Sequence, residues 1–161
     1  METKTANLRI AKLPRKTLAY IQHTGPYKGD TRLFERLFLQ VSTWVKNRSM
    51  NLPVHEAITV YHDDAGRVPE DKQRISVGYT VPDDTLGAGN IEIMEIPAGE
   101  YVIGSFEIPA ESYGEAWSET MRFIQEHKYA PSGIMYESYK NDPRTHPEGM
   151  HQVEICIGVT L

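Results

Sequence analysis

Tyr61–Val81 reads YHDDAGRVPEDKQRISVGYTV, and Tyr139–Val159 reads YKNDPRTHPEGMHQVEICIGV. A constant offset of 78 superposes Tyr61 on Tyr139, Asp64 on Asp142, Pro69 on Pro147, Glu70 on Glu148 and Val81 on Val159. It also places Ile75, Val77 and Tyr79 on Val153, Ile155 and Ile157, apolar residues in alternate positions as a half-buried strand requires. The chain is therefore two copies of one supersecondary unit. An interface between two such copies is a natural place for a ligand pocket.

Each copy yields the same order of elements when read outward from its repeated stretch. In the first, Thr17–Gln22 alternates as a strand and is broken by His23-Thr24-Gly25-Pro26. Leu33, Phe34, Leu37, Phe38, Val41, Trp44 and Val45 then recur at helical spacing between Asp30, a plausible N-cap, and Asn47. Strands follow at His55–His62 and Ile75–Val81, joined by a polar hairpin. In the second copy Glu100–Phe106 is a strand, and Tyr113, Ala116, Trp117, Thr120, Met121 and Ile124 mark a helix over about 111–127. Ile134–Tyr139 and Gln152–Thr160 complete it. The expectation is an α+β domain of two tandem βαββ modules with pseudo-two-fold symmetry, an antiparallel sheet with helices on one face and a central ligand groove. Module one covers about 8–82, a linker about 83–98 and module two about 99–161. The linker's IEIMEI run is a further extended segment.

The 161 residues suit one domain with a sizeable core. A net charge of -5 argues against sequence-independent nucleic-acid binding, which needs cations against phosphates. A single cysteine, Cys156, fits a reducing compartment, and no long apolar run points to a signal peptide or membrane span. The expected location is the cytoplasm. Six histidines and one cysteine show no metal-ligand spacing, so no metal and no cofactor are expected. His146 and His151 fall in or beside the second hairpin and read as solvated surface. Gly87-Ala88-Gly89 lacks the strand and helix of a nucleotide loop.

Two features point to a ligand. On the strand faces opposite the bulky residues lie Ser76, Gly78, Thr80, Cys156 and Gly158, which either leave room on an open sheet face or allow close packing. Glu137 sits within the apolar-flanked strand Ile134–Tyr139, where a buried carboxylate needs a partner and an exposed one does not. Its match in the first copy is Thr59, and asymmetry at one matched position is what a one-ligand pocket would produce. Tyr61 and Tyr139 should face the same way within their copies. Tyr27 and Tyr113 stand near the helix starts. Trp44 and Trp117 lie on the helices, where core packing is the commoner role.

The motifs GPY (25–27), VYHDD…VPEDKQRISVGYTV, and YESYKNDP…HPE…VEICIGV resemble GyrI-like proteins across essentially the whole chain. That family shares its domain with the effector-binding halves of AraC- and MerR-type multidrug regulators. The resemblance implies two βαββ modules with a groove for aromatic, often cationic, small molecules. It places the acid that meets the cation at Glu137. It suggests Tyr61, Tyr27 and Trp117 as ring partners, with Tyr139 and Tyr113 beside them. Regulators of the family carry a DNA-binding region ahead of this domain. Here the domain starts close to Met1, so direct transcription control and direct nucleic-acid binding are not expected. The leading expectation is a stand-alone binding protein that sequesters or senses such compounds. The first alternative is a hydrolase of cyclopropane-bearing genotoxic natural products with Glu137 as general base. A Tyr–Glu hydrogen bond or a second carboxylate would favour it. The other alternative is a gyrase-inhibitor-like protein-interaction module.

Overall fold

The structure, a computed structural model, describes residues 5–48, 56–64 and 66–161. Its eight strands are β1 (Thr5–Leu13), β2 (Lys16–Thr24), β3 (Ala57–Tyr61), β4 (Arg74–Thr80), β5 (Glu92–Ile96), β6 (Gly99–Ile108), β7 (Ala130–Tyr139) and β8 (His151–Thr160). The helices are α1 (Thr31–Asn47) and α2 (Tyr113–Glu126). This is the expected α+β class. His55, where the sequence starts the third strand, lies outside the described residues.

Two compact units divide the chain: Arg15–Pro97, and the first strand together with Ala98–Leu161. In the first, the strand order is β3-β4-β2-β5, and in the second β1-β6-β8-β7, antiparallel throughout. The sequence places residues 8–14 with module one. Instead β1 pairs with β6 from Thr5↔Glu107 to Leu13↔Gly99, and the compact unit begins at Arg15. The cause is visible in the chain: β1 offers only Leu8 and Ile10 to a core, too little to stand out, and both pack against α2's side of its unit. The IEIMEI run is extended as expected: its Glu92–Ile96 form β5, which pairs with β2.

The duplication holds to the level of single hydrogen bonds. Ala57↔Tyr79 in β3–β4 corresponds to Met135↔Ile157 in β7–β8, the same register at the same offset of 78. The backbone N–H of Arg74 donates to the Asp63 carboxylate at 2.7 Å, and that of Gln152 to the side-chain Oδ1 of Asn141 at 2.8 Å. Asp64 accepts from the Gly66 N–H and Asp142 from the Arg144 N–H, matched turns that start both hairpins. One difference is an ion pair: Arg74 also holds Asp63 through its guanidinium, which keeps that carboxyl below its usual range.

Helix α1 is capped by Asp30, whose side chain accepts from the Leu33 N–H at 3.1 Å, an arrangement that stabilises a helix by about 1 kcal/mol. Leu33, Leu37, Val41 and Val45 form its buried stripe against Ala19, Ile21, Ile75 and Val77. Each such side chain is worth about 1.5–3 kcal/mol. On α2 the buried stripe is Ala116, Thr120 and Ile124, against Val102, Phe106, Val153, Ile155 and Ile157. Stripe residues four apart set the helices in register: Leu37, Val41 and Val45 match Ala116, Thr120 and Ile124 at an offset of 79.

The small residues opposite this core do not leave an open face. Ser76, Gly78, Cys156 and Gly158 are all buried. A Cβ on Gly78 would come within 1.8 Å of the Ala19 carbonyl oxygen on the neighbouring strand. One on Gly158 would meet Ser132 Oγ at 2.5 Å and Ile134 Cγ2 at 2.6 Å, where β7 bulges between Pro131 and Met135. Close packing is the role of these positions.

Candidate functional site

Glu137 is only 3% exposed, so the half-exposed alternative for this carboxylate does not hold. It projects from the helix-facing side of β7, opposite Ile155, into the space beneath α2. Both oxygens are held. The indole N–H of Trp117, on α2, donates to Oε2 at 2.5 Å, and the Tyr139 hydroxyl donates to Oε1 at 2.6 Å. Tyr139 can do this because residues two apart on a strand share a face. Trp117 can because its place beside the buried stripe of α2 aims the ring at the sheet while leaving part of it in solvent. Short bonds of this kind, with an ionised acceptor, are among the stronger hydrogen bonds in proteins.

Tyr113 stands one helical turn before Trp117, on the same side of α2. Its hydroxyl bonds His151 Nδ1 at 2.8 Å, and the two rings meet edge-on with centroids 5.3 Å apart. Burial raises the Tyr113 hydroxyl well above the usual phenol range, and the negative charge of Glu137 raises it further. Burial also lowers the His151 imidazole, opposed by Glu111. At neutral pH the pair is thus a neutral phenol hydrogen-bonded to a neutral imidazole.

Four of the six residues expected at the site come together in one unit: Glu137, Trp117, Tyr139 and Tyr113. Tyr61 and Tyr27 belong to the other. There Tyr27 is buried and packs on Tyr61, centroids 5.7 Å apart, and on Phe34 at 6.4 Å. His151, read as solvated, instead anchors Tyr113. Its signal was available, since it continues the alternate apolar positions Val153, Ile155 and Ile157 of β8. His146 likewise bonds Glu107 at 2.8 Å and is largely covered. Among the described residues no cluster of three or more His, Cys, Asp or Glu side chains could hold a metal ion. Nor is any helix among them long and apolar enough to cross a membrane.

A structure-wide match accompanies this arrangement. Residues 6–160 match the GyrI-like small molecule binding domain. The chain belongs to the GyrI-like family. A DNA gyrase inhibitor of Citrobacter rodentium is 28% identical over 158 residues, covering 95% of this chain and 96% of that protein. DNA gyrase inhibitor 2 of Dickeya dadantii is 26% identical, covering 94% of each. Among solved structures, this GyrI-like chain superposes on EcmrR in its DNA complex with a TM-score of 0.79 at 20% identity. It covers 96% of itself but spans only 57% of that EcmrR chain. The match to the EcmrR C-terminal domain covers 98% of each, with a TM-score of 0.75. More distant likenesses of fold include a hydrolase of Listeria innocua (TM-score 0.67, 11% identity, 96% of this chain and 92% of that one). SAV2435 bound to tetraphenylphosphonium is another (0.61, 11%, 96% and 94%).

The internal match isolates what is special about one copy. At the offsets fixed above, Tyr113 corresponds to Phe34, Trp117 to Phe38, Glu137 to Thr59, Tyr139 to Tyr61 and His151 to Gln73. At the two helix positions the first copy has hydrocarbon rings: Phe34 against Tyr27, and Phe38 against Tyr79 at 5.6 Å. The second copy has a ring donor at both helix positions and an acid between them. A buried carboxylate demands donors, and the rings that surround it supply them.

Proposed function

We propose that the unit containing residues 98–161 binds aromatic cations, with Glu137 supplying the charge and Trp117, Tyr139 and Tyr113 the ring surface. One observation carries this reading: a nearly inaccessible carboxylate whose two oxygens are each held by an aromatic side chain that remains partly open to solvent. A ligand cation reaching those rings gains about 0.5–2 kcal/mol from each favourable ring face. Its apolar area contributes roughly 25 cal/mol per Å². A carboxylate at about 4 Å adds attraction of about 4 kcal/mol before desolvation is subtracted. None of these terms demands one ligand shape, which suits sequestration or sensing of several compounds. The packing of Tyr27 on Phe34 and on Tyr61 leaves both tyrosines outside this proposal.

Isothermal titration with tetraphenylphosphonium and its neutral relative triphenylphosphine oxide tests it. The cation should bind more tightly than the neutral compound, and Glu137→Gln should weaken only the cation, by about 10–100-fold (about 1.4–2.8 kcal/mol). Equal binding of both compounds, or a cation affinity untouched by Glu137→Gln, refutes the assignment. A second reading, hydrolysis of a strained electrophilic ring, draws on the Tyr139–Glu137 bond, because that pair could orient water for general-base attack. Incorporation of oxygen from labelled water into a ring-opened product, lost in Glu137→Gln, would decide for it.

A further inference from the structure

We infer that the outward face of α1 is a self-association surface, which docks on the outward face of α2 in a second copy of this chain. None of its residues belongs to the Glu137 cluster, so it stands apart from the cation-binding reading above.

The two helices are copies of opposite charge. Over Thr31–Asn47, α1 carries three cations, Arg32, Arg36 and Lys46, and one acid, Glu35. Over Tyr113–Glu126, α2 carries one cation, Arg122, and three acids, Glu115, Glu119 and Glu126. At the helix offset of 79, Arg36 matches Glu115, and Arg32 matches Glu111 in the turn that leads into α2. All four of these side chains are exposed. The chain as a whole is acidic, with a net charge of -5, so the basic face of α1 runs against the general balance. Opposite potentials steer an α1 face onto an α2 face, whereas two α1 faces or two α2 faces repel.

Shape agrees with charge. Leu39 stands between the cations of α1, with Arg36 one turn before it and Lys46 two turns after, and it is 66% exposed. Beside it, Leu39, Trp44 and Ile91 line an apolar groove of about 420 Å³. The Arg48 guanidinium lies over the Trp44 ring, 4.7 Å from its centroid, and adds a further cation there. At the place matching Leu39, α2 has Ser118, one turn after Gly114. These small residues open a shallow depression rimmed by two acids, Glu115 and Glu119, and one cation, Arg122. A Cβ added at Gly114 would meet nothing within 4 Å. The leucine of one copy thus has a hollow to enter on the other, and its flanking cations meet acids at the rim. Exposed ion pairs contribute little alone, so burial of Leu39 supplies affinity while the charges select the unlike helix. Because the two faces differ, the contact is heterologous: two of them can close a pair, and repetition without closure makes longer chains.

Sedimentation velocity of the whole chain tests the docking. The wild type should associate with rising concentration at about 0.01 M salt, where charges act over about 30 Å. Its dissociation constant should rise about tenfold or more at about 1 M salt, where they act over about 3 Å. The double variant Arg32→Glu/Arg36→Glu leaves both helices acidic, and Glu115→Lys/Glu126→Lys leaves both basic; each alone should stay monomeric. Mixed together, the two should form a complex, because each then meets a helix of opposite sign. Leu39→Ser, at an exposed position, should weaken wild-type association about tenfold. A wild type that stays monomeric up to about 1 mM overturns the inference. So do charge variants that self-associate alone, or a mixture of them that does not associate. If a charge variant fails to fold, Leu39→Ser decides, and an unchanged dissociation constant overturns the docking.

Discussion

Removing the Trp117 donor is the sharpest probe of the site. Trp117→Phe keeps a ring on α2 and deletes the N–H that reaches Glu137 Oε2 at 2.5 Å. A hydrogen bond to an ionised group is worth about 1.5–3 kcal/mol, and leaving a buried acceptor short of a donor costs a similar amount. Trp117 is half-buried, so the lower end applies, about 1.5 kcal/mol. For a domain of this size that lowers the melting temperature by about 3–6 °C. The smaller ring also loses packing, and a double-mutant cycle with Glu137→Leu separates that loss from the bond. Without the acid this bond is absent, and Trp117→Phe should cost less than in the wild-type background by about the worth of the bond, roughly 1.5 kcal/mol. Urea unfolding followed by circular dichroism measures all four proteins, provided the slope with denaturant stays constant. A cost for Trp117→Phe that is equal in both backgrounds would refute the reasoning, because the indole would then act by packing alone.

Two further outcomes follow from the same structure. Gly78→Ala drives a Cβ into the Ala19 carbonyl, a backbone atom that cannot yield, and should cost about 3 kcal/mol or prevent folding. Gly158→Ala meets only side-chain ends, Ser132 Oγ and Ile134 Cγ2, and should cost about 1–2 kcal/mol; equal costs in urea titrations would contradict this difference. Stability should also fall as pH drops below 6.5. His62 and His151 both have imidazoles lowered from that value in the fold, chiefly by burial, so the unfolded chain takes up protons first. That loss begins as pH falls through 6.5 and is complete below the folded values. A separate loss at lower pH belongs to Asp63, Asp142 and Glu107, whose carboxyls are held down by Arg74, by Arg144, and by Gln152 with His146. Unfolding midpoints that stay level between pH 7.5 and 5 would exclude the imidazole contribution.

The parts of the fold legible in the sequence are those where a periodic pattern coincides with a burial face. The α1 stripe, its Asp30 cap and the paired hairpin strands are of this kind. β1 escaped because its partner strand lies more than eighty residues downstream, and pairing at that distance leaves no local trace. The small residues on β4 and β8 were ambiguous for a related reason. Alternation tells which residues share a face, but the distance to the next backbone is set by tertiary structure. Gly78 is small because Ala19 is close, and that fact lies in neither stretch of sequence.

The candidate site was legible to the extent that the two copies disagree. Thr59 against Glu137 is a single visible discrepancy, yet a buried acid cannot be introduced alone. Placed among the phenyl rings of the first copy, it would meet no donor from Phe34 or Phe38 and would cost several kcal/mol. Tyr61 already offered a hydroxyl two residues along the strand, which Tyr139 retains. Exchanging Phe for Trp at the helix position adds the second donor within nearly the same volume. The hydroxyl at Tyr113, which Phe34 lacks, is hydrogen-bonded to His151. These differences are physically linked, because a buried acid needs the donors around it, so matched positions should be compared as a set. Read singly, His151 is a surface histidine and Trp117 a core tryptophan. Read together with Glu137 and Tyr113, Trp117 belongs to the hydrogen-bonded cluster proposed above as a cation site, and His151 holds the phenol beside it.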